Sequence, residues 1–554
     1  MYDYVIVGAG SAGCALANRL SADPSISVCL LEAGKRDRSP LVHIPLGVAG
    51  IMPTRHANWA FQTEPQPGLG DRRGYQPRGK VLGGSSSINA MIYIRGHRSD
   101  YDAWSQEGNP GWSFDEVLPY FKRSENQERG ANEHHGIGGP LNVADLRSPH
   151  AICESFIAAG QQKGYARIED FNGPDITEGV GYYQVTQQEG ARCSAATAFL
   201  TPILDRPNLT VVTEAHATRV LFDGKRATGV RYRKNDQGHE ITANREVILS
   251  AGALQSPQLL MLSGIGPRDE LERHGIELRH ELPGVGQNLQ DHIDYVTAVT
   301  SPSKETIGLS VPGSWDMLRA MNDYRRYRIG KLTSNVAEAG GFLRSDPGID
   351  VPDLQLHFVV TILDDHGRKL HAGHGYSCHV CLLRPKSRGR VGLHSANPMA
   401  APVIDPGFLS EEEDMQKMVR GFKLMREILS APALASYRGR DLYTADVRTD
   451  EEIREVIRQR ADTVYHPIGT CRMGHDEGAV VDSELKVHGI DGLRVVDASV
   501  MPTIVSGNTN APTIMIGEKA SDMILFATRS SSSSREKEQS HQGSQPVWPV
   551  EATV

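Results

Sequence analysis

The stretch that most constrains this chain is its first 33 residues. Tyr4-Val5-Ile6-Val7 is a short apolar run of the kind that forms a buried strand, and Gly8-Ala9-Gly10-Ser11-Ala12-Gly13 follows it without a break. A helix with small residues (Ala15, Ala17) comes next, then a second strand-like run, Ser27 to Leu31, ending in Glu32 and Ala33. In such a βαβ unit the first glycine permits a tight turn and the second lets backbone N–H groups approach a pyrophosphate. The third lets helix and strand pack closely. An acid at the end of the second strand, about 20 residues on, can accept the hydroxyls of a ribose. A purely structural glycine turn would leave Glu32 without a task. The unit predicts dinucleotide binding on a Rossmann-like α/β domain.

The chain has 554 residues, room for roughly two to four domains. Its 39% hydrophobic and 23% charged residues are those of an ordinary globular protein. A net charge of −8 and a pI near 6.2 argue against nucleic acid as a partner, which selects a basic face. No run reaches the ~18 apolar residues needed to span a bilayer. The N-terminus opens into a strand with no charged leader, so the expected location is cytoplasmic, or peripheral on the cytoplasmic face of a membrane. Seven scattered cysteines are reducing-compartment usage. Cys378-His379-Val380-Cys381 lies in a strand-like run, Tyr376 to Leu383, where positions i and i+3 face opposite ways, so both cysteines read as packing residues.

Further along, Arg78-Gly79-Lys80-Val81-Leu82-Gly83-Gly84-Ser85-Ser86-Ser87-Ile88-Asn89 can present many backbone and hydroxyl donors to a polar ligand. The apolar Ala90-Met91-Ile92-Tyr93-Ile94 follows directly, which makes it a buried cofactor cradle rather than a surface loop. Ile248 to Ala253 reads as a buried strand, and the small Ala251, Gly252 and Ala253 let backbone approach a ligand. Near the C-terminus Tyr465-His466-Pro467-Ile468-Gly469 is followed by a strand-like Leu493–Val496, then Asp497-Ala498, then Gly507-Asn508-Thr509-Asn510-Ala511-Pro512. His466 and Asn510 brought to one redox cofactor suggest a base and an oxyanion partner for oxidising an alcohol. Strands at Asp353–Val360, Tyr376–Leu383 and Gly389–Leu393 and a helix at Asp414–Leu429 predict a mostly antiparallel substrate domain. Helices are also expected at Phe114–Glu125 and Ala151–Gly160. His292, His475 and His134-His135 lack metal-ligand spacing, so no metal is expected.

Four of these stretches together resemble the glucose–methanol–choline oxidoreductases, which are flavoproteins. They are GAGSAG with Glu32, Gly79 to Asn89, Gly252 to Gly266, and the His466…Asn510 region. Gly83 to Met91 and Ser506 to Met515 are most similar to bacterial alcohol dehydrogenases of alkane degradation and their choline-dehydrogenase relatives. The resemblance implies FAD held by Gly8, Gly10, Ser11, Ala12, Gly13, Glu32 and Ala33, and by Gly79, Leu82, Gly83, Gly84, Ser85, Asn89, Ala90, Met91 and Ile92. It adds Ala217 near the adenine, Ala251 and Gly252, Asp497 and Ala498 near the pyrophosphate or ribityl chain, and Asn508 and Pro512. Some members tether FAD through a His that is Ile88 here, so a non-covalent FAD is expected; others pair the catalytic His with a second His where Asn510 is expected.

The implied reaction is oxidation of a primary, aliphatic alcohol to the aldehyde, with a quinone-type electron acceptor. An oxygen-using oxidase, a choline dehydrogenase, and a hydroxynitrile-lyase-like protein without net redox stay open beside it. The implied FAD-binding domain is discontinuous (1–158, 208–298 and 461–527), the substrate domain takes 159–207 and 299–460, and 528–554 is a disordered tail. Trp315 to Arg328 is a possible peripheral membrane contact, a basic helix on which Met317, Met321 and Tyr324 share a face with Trp315 and Leu318 close by.

Overall fold

The structure, a computed structural model, describes residues 1–174 and 177–542. Two sheets organise it. The first runs in the order Leu209–Thr213, Val28–Glu32, Tyr2–Val7, Gln237–Leu249, Arg226–Lys234, His216–Asp223, with Leu493–Val495 also paired to Gln237–Leu249. Five of these strands are mutually parallel, and the other pairings form an antiparallel meander. Gln237–Leu249 is long enough to serve both, its first half pairing with the meander and its second with Tyr2–Val7. Strands covered on both faces need continuous apolar side chains, and Val28–Glu32 is buried throughout. Helices Ser11–Leu20 and Asn510–Gln542 pack against each other beside this sheet, and the contact is backbone-close. A Cβ on Gly517 would lie 2.8 Å from Ala12 O.

The second sheet has the order Asp462–Thr463, Ile293–Ser301, His374–Leu382, Leu354–Val359, Ala337–Leu343, Gly179–Tyr182, and every pairing in it is antiparallel. Its two faces carry different chemistry, because side chains alternate along a strand. Tyr295, Phe358, Cys378 and Val380 point into a core shared with helices Ala151–Gln162, Glu412–Leu429 and Asp450–Arg460. Their alternate neighbours Asp294, Val296, His357, Val359 and His379 face a cavity against the first sheet. Cys378 and Cys381 fall in different apolar clusters, both as buried free thiols.

Three expectations change. Strand Ile293–Ser301 spans the boundary drawn at 298 and belongs wholly to the second sheet, and helix Ala151–Gln162 packs on that sheet too. The last helix continues to Gln542, so 528–542, expected to lack order, is helical; neither Gly nor Pro interrupts Glu518–Gln542 to end it. Residues 543–554 lie outside the described residues. The helix expected around 315–328 is Val311–Tyr327, with Ser310 as its N-cap. Tyr324 is buried and Met317 half-buried against Ile44 and Leu332, so the exposed stripe is instead Val311, Trp315, Leu318 and Met321. No described helix is long and apolar enough to cross a membrane.

Candidate active site

The turn between Tyr2–Val7 and the helix at Ser11 is built to receive something that is not protein. Gly8 has φ +101°, and a Cβ there would sit 2.3 Å from Ser250 O, so it must be glycine for the turn itself. Gly10 is different. Its φ is −80°, and the nearest protein atom to a Cβ there, Ser250 O, is 3.9 Å away. Neither backbone strain nor protein packing requires glycine at that position, so the residue fits close approach of a ligand. Gly10 heads a helix whose first N–H groups are free for an anion.

Glu32 closes this end. Its carboxylate accepts from Ala9 N at 3.0 Å and Gly34 N at 2.7 Å. Burial pushes its pKa up to about 7 against those two hydrogen bonds and the Lys80 charge. From Glu32 a cavity of about 740 Å³ runs past Gly84, Ser85 and Gly252 to His466, Asn508, His357 and His379 under the second sheet. That is the size of a cofactor and substrate site. All the expected cofactor residues line it except Gly13, Leu82, Gly83 and Pro512. These four stand behind the wall for packing reasons. Gly13 abuts Gly8, the N–H of Gly83 donates to Ala9 O at 2.7 Å, and Leu82 and Pro512 are buried. Asp497 lines the cavity, but its carboxylate is already held by the Gly252 N–H at 2.9 Å, Ser256 Oγ at 2.6 Å and the Ser499 N–H at 2.8 Å. It fixes the backbone that faces the cavity.

At the far end the expected partner of His466 is corrected. Asn510 is the first residue of the last helix, and its Oδ1 accepts from Ser11 Oγ at 2.7 Å, tying that helix to the glycine turn. Asn508 is the residue that meets the histidine, with Nδ2 3.2 Å from His466 Nε2. One residue, Thr509, separates them, and the helix start directs Asn510 away. Gln355, on the second sheet, donates to Asn508 Oδ1 at 3.2 Å and so points the amide nitrogen at His466.

The protonation pattern of His466 follows from its neighbours. His292 Nε2 lies 3.1 Å from Leu383 O, and a carbonyl can only accept, so His292 carries its proton there. Burial lowers the His292 pKa to about 4, so the ring is neutral and its Nδ1 is an acceptor. His466 Nδ1, 2.9 Å away, must therefore be the donor of that pair. The lone pair of His466 is left on Nε2, facing Asn508 and the cavity. Burial, then the His292, His357 and Arg78 charges, hold the His466 pKa well below its usual range.

The backbone around His466 is strained and pinned. Tyr465 has φ +77°, a left-handed conformation that a bulky residue rarely adopts. Asp291 holds the turn, accepting from His466 N at 2.8 Å, Thr463 Oγ1 at 2.6 Å and Gln76 Nε2 at 2.9 Å. Burial raises the Asp291 pKa to about 6 against those bonds. Beside the pair, neither ring nitrogen of the buried His357 has a protein partner, and burial lowers its pKa to about 3. Asp294 Oδ2 bonds His379 Nδ1 at 2.6 Å, while Asp294 Oδ1 and His379 Nε2 have no partner. Asp291, Asp294, Gln355, His357 and His379 were missed by the sequence reading, and His292 was weighed there only as a metal ligand. A polar Gln290-Asp291-His292 run entering a strand was the available signal. No group of residues among those described could hold a metal ion.

The profile described as GMC oxidoreductase matches residues 2–294, and its C-terminal counterpart matches 385–517. An alcohol dehydrogenase [acceptor] from Pseudomonas putida is 52% identical over 95% of this chain and 96% of its own. The mitochondrial choline dehydrogenase of Homo sapiens is 46% identical over 94% and 89%. The crystal structure of pyridoxine 4-oxidase from Mesorbium loti superposes with a TM-score of 0.86 at 32% identity, covering 95% of this chain and 99% of that one. With a glycine turn that leaves room for a pyrophosphate and a His–Asn pair at the other end of the same cavity, the chain belongs to the GMC oxidoreductases, enzymes whose cofactor is FAD.

Proposed function

We propose that this protein oxidises a primary aliphatic alcohol to the aldehyde and passes the electrons to a quinone-type acceptor. The observation that carries the reading is the His466 Nε2 lone pair, kept unprotonated by the His292 contact, facing the cavity and accepting from the Asn508 amide. Bound FAD supplies the two-electron sink for the hydride that leaves the alcohol carbon. The protein supplies the rest. His466 Nε2 takes the hydroxyl proton, a task that suits a neutral imidazole. Asn508 Nδ2 donates to the oxygen as negative charge grows on it, and a neutral donor does not compete for the proton. Tyr465 and Asp291 hold the base in place, and Gln355 holds the amide. Gly8, Gly10, Glu32, Gly84, Ser85, Asn89 and Gly252 would hold the cofactor. Ile88 packs with Val42, Ile51 and Val81 and offers no nucleophile, so FAD is bound without a covalent link.

An aliphatic substrate is supported by the apolar cavity walls Val296, Ile307, Val359, Ile362 and Leu363, and an alcohol oxidised with a separate acceptor by the name of the Pseudomonas putida relative. A quinone acceptor resides in the bilayer, so the reading includes peripheral membrane contact. A second reading, oxidation of a cationic alcohol such as choline, draws on the unpartnered Asp294 Oδ1 and on the choline dehydrogenase relatives. Anaerobic mixing with n-alkanols of graded length and with choline, following loss of oxidised-flavin absorbance, tests both. Faster bleaching by the longer alkanols supports the first reading. Bleaching by choline alone replaces it with the second, and bleaching by no alcohol sinks both. Admitting oxygen and assaying hydrogen peroxide then separates dehydrogenase from oxidase.

A further inference from the structure

Large apolar side chains are not scattered over this surface. Among the described residues, eight of the thirteen exposed ones lie between 309 and 329 or at 370. Helix Val311–Tyr327 packs inward through Met317, Ala320 and Tyr324. At about 100° per residue, Val311, Trp315 and Leu318 emerge away from that face and Met321 lies at the edge between the two, each more than half exposed. Arg319 and Arg326 flank that stripe on one side, and Arg325 continues it one turn beyond Met321. All three are exposed and none has an ion-pair partner among the described residues. An outward apolar stripe edged with free arginines, on a protein of net charge −8, is complementary to an anionic lipid surface.

The same stripe runs into the mouth of the catalytic cavity. Leu309, just before the N-cap, is exposed, lines the cavity, and its carbonyl accepts from Gly373 N at 2.8 Å. Leu370, 74% exposed, lines the cavity from the facing loop. Ser310, the helix N-cap, bonds His374 Nε2 at 2.8 Å and so fixes the helix to the rim. Behind these residues the walls stay apolar through Ile307, Ile362 and Leu363 toward His466.

We propose that this face docks on an anionic bilayer and that the cavity opens there, so that poorly water-soluble reactants enter the site from the lipid. The proposal rests on the reading of an alcohol oxidation linked to a bilayer-borne acceptor. Its test uses the full FAD-loaded chain and vesicles of phosphatidylcholine with phosphatidylglycerol. All seven native cysteines are buried, so Leu370→Cys gives one site for a polarity-sensitive fluorophore, and Ile137→Cys serves as a control outside the patch. The wild type is expected to float with the vesicles, and Trp315→Glu with Leu318→Glu to lower the floating fraction about tenfold. The label at 370 should shift to the blue on vesicle addition, and the label at 137 should not. Both proteins should oxidise a short water-soluble alcohol equally well with a soluble dye as acceptor. Absence of flotation, equal flotation of the two proteins, or flotation with an unshifted label at 370 would overturn the proposal. So would light scattering that shows the double variant breaking a dimer, since a second copy would then cover the stripe. Failure of both proteins to oxidise any alcohol would sink the functional reading alone, because flotation and label report without turnover.

Discussion

His466 is useful only because its neighbours decide which nitrogen carries the proton. The Leu383 carbonyl fixes His292, His292 fixes His466, and the lone pair on Nε2 is left facing Asn508 and the cavity. The two asparagines near it are then separable by experiment. Asn508→Ala should lower kcat/KM by about 10²–10³, as for loss of one oxyanion donor. Asn510→Ala should leave kcat within a few-fold and weaken FAD retention, since Asn510 holds Ser11 at the glycine turn. Steady-state kinetics and FAD content of both variants check this, and the reverse ranking would restore Asn510 as the partner. The buried histidines also carry a pH signature. His357 has a folded pKa near 3, below the unfolded value near 6.5, so the unfolded chain takes up its proton first as pH falls. Its effect on stability is therefore absent above about pH 6.5 and grows more unfavourable down to about pH 3, by about 1.4 kcal/mol per pH unit. Urea unfolding of the wild type and His357→Gln between about pH 6.5 and 4 should show the wild type losing stability faster by that slope. Parallel curves would mean that His357 is not held neutral.

At the scale of elements, the first βαβ unit and the two sheets were legible because their patterns are local. The strand expected at Tyr4 to Val7 runs over Tyr2–Val7, and the helix expected at 414–429 runs over Glu412–Leu429. The active-site polar set was not legible for the same reason. His357 and His379 lie in strands whose neighbours are apolar, and only the sheet's pairing shows that both share the cavity face with Asp294. The difference between Asn508 and Asn510 depends on where a helix starts, the part of a helix that sequence fixes least. That last helix is joined to two others by one carboxylate. The side chain of Glu518 is fully buried and accepts from Arg19 at 2.7 Å and Arg123 at 2.7 Å. Glu518→Ala should cost about 2–3 kcal/mol, below the range for a fully buried pair because both arginines can reach water. Asp522→Ala, which removes only an exposed partner of Arg123, should cost about 0.5 kcal/mol or less. Equal losses in urea unfolding would show that the three helices do not depend on Glu518.

Across the whole molecule, one cavity follows the seam between the two sheets, with the glycine turn and Glu32 at one end and the histidines at the other, and the proposed reading places FAD there. In the proposed reading FAD is held without a covalent tether, so acid precipitation should release it into the supernatant, and added FAD should raise the melting temperature with its concentration. Flavin that stays with the denatured chain would contradict the absence of a tether at Ile88. The central claim is that His466 is the base for an alcohol oxidised in this cavity, and single-turnover flavin reduction under anaerobic conditions tests it most directly. With a good primary alcohol the wild type should bleach its flavin, and His466→Ala, still yellow and FAD-loaded, should do so at least ~10²-fold more slowly. Bleaching of the two proteins at the same rate would contradict the claim.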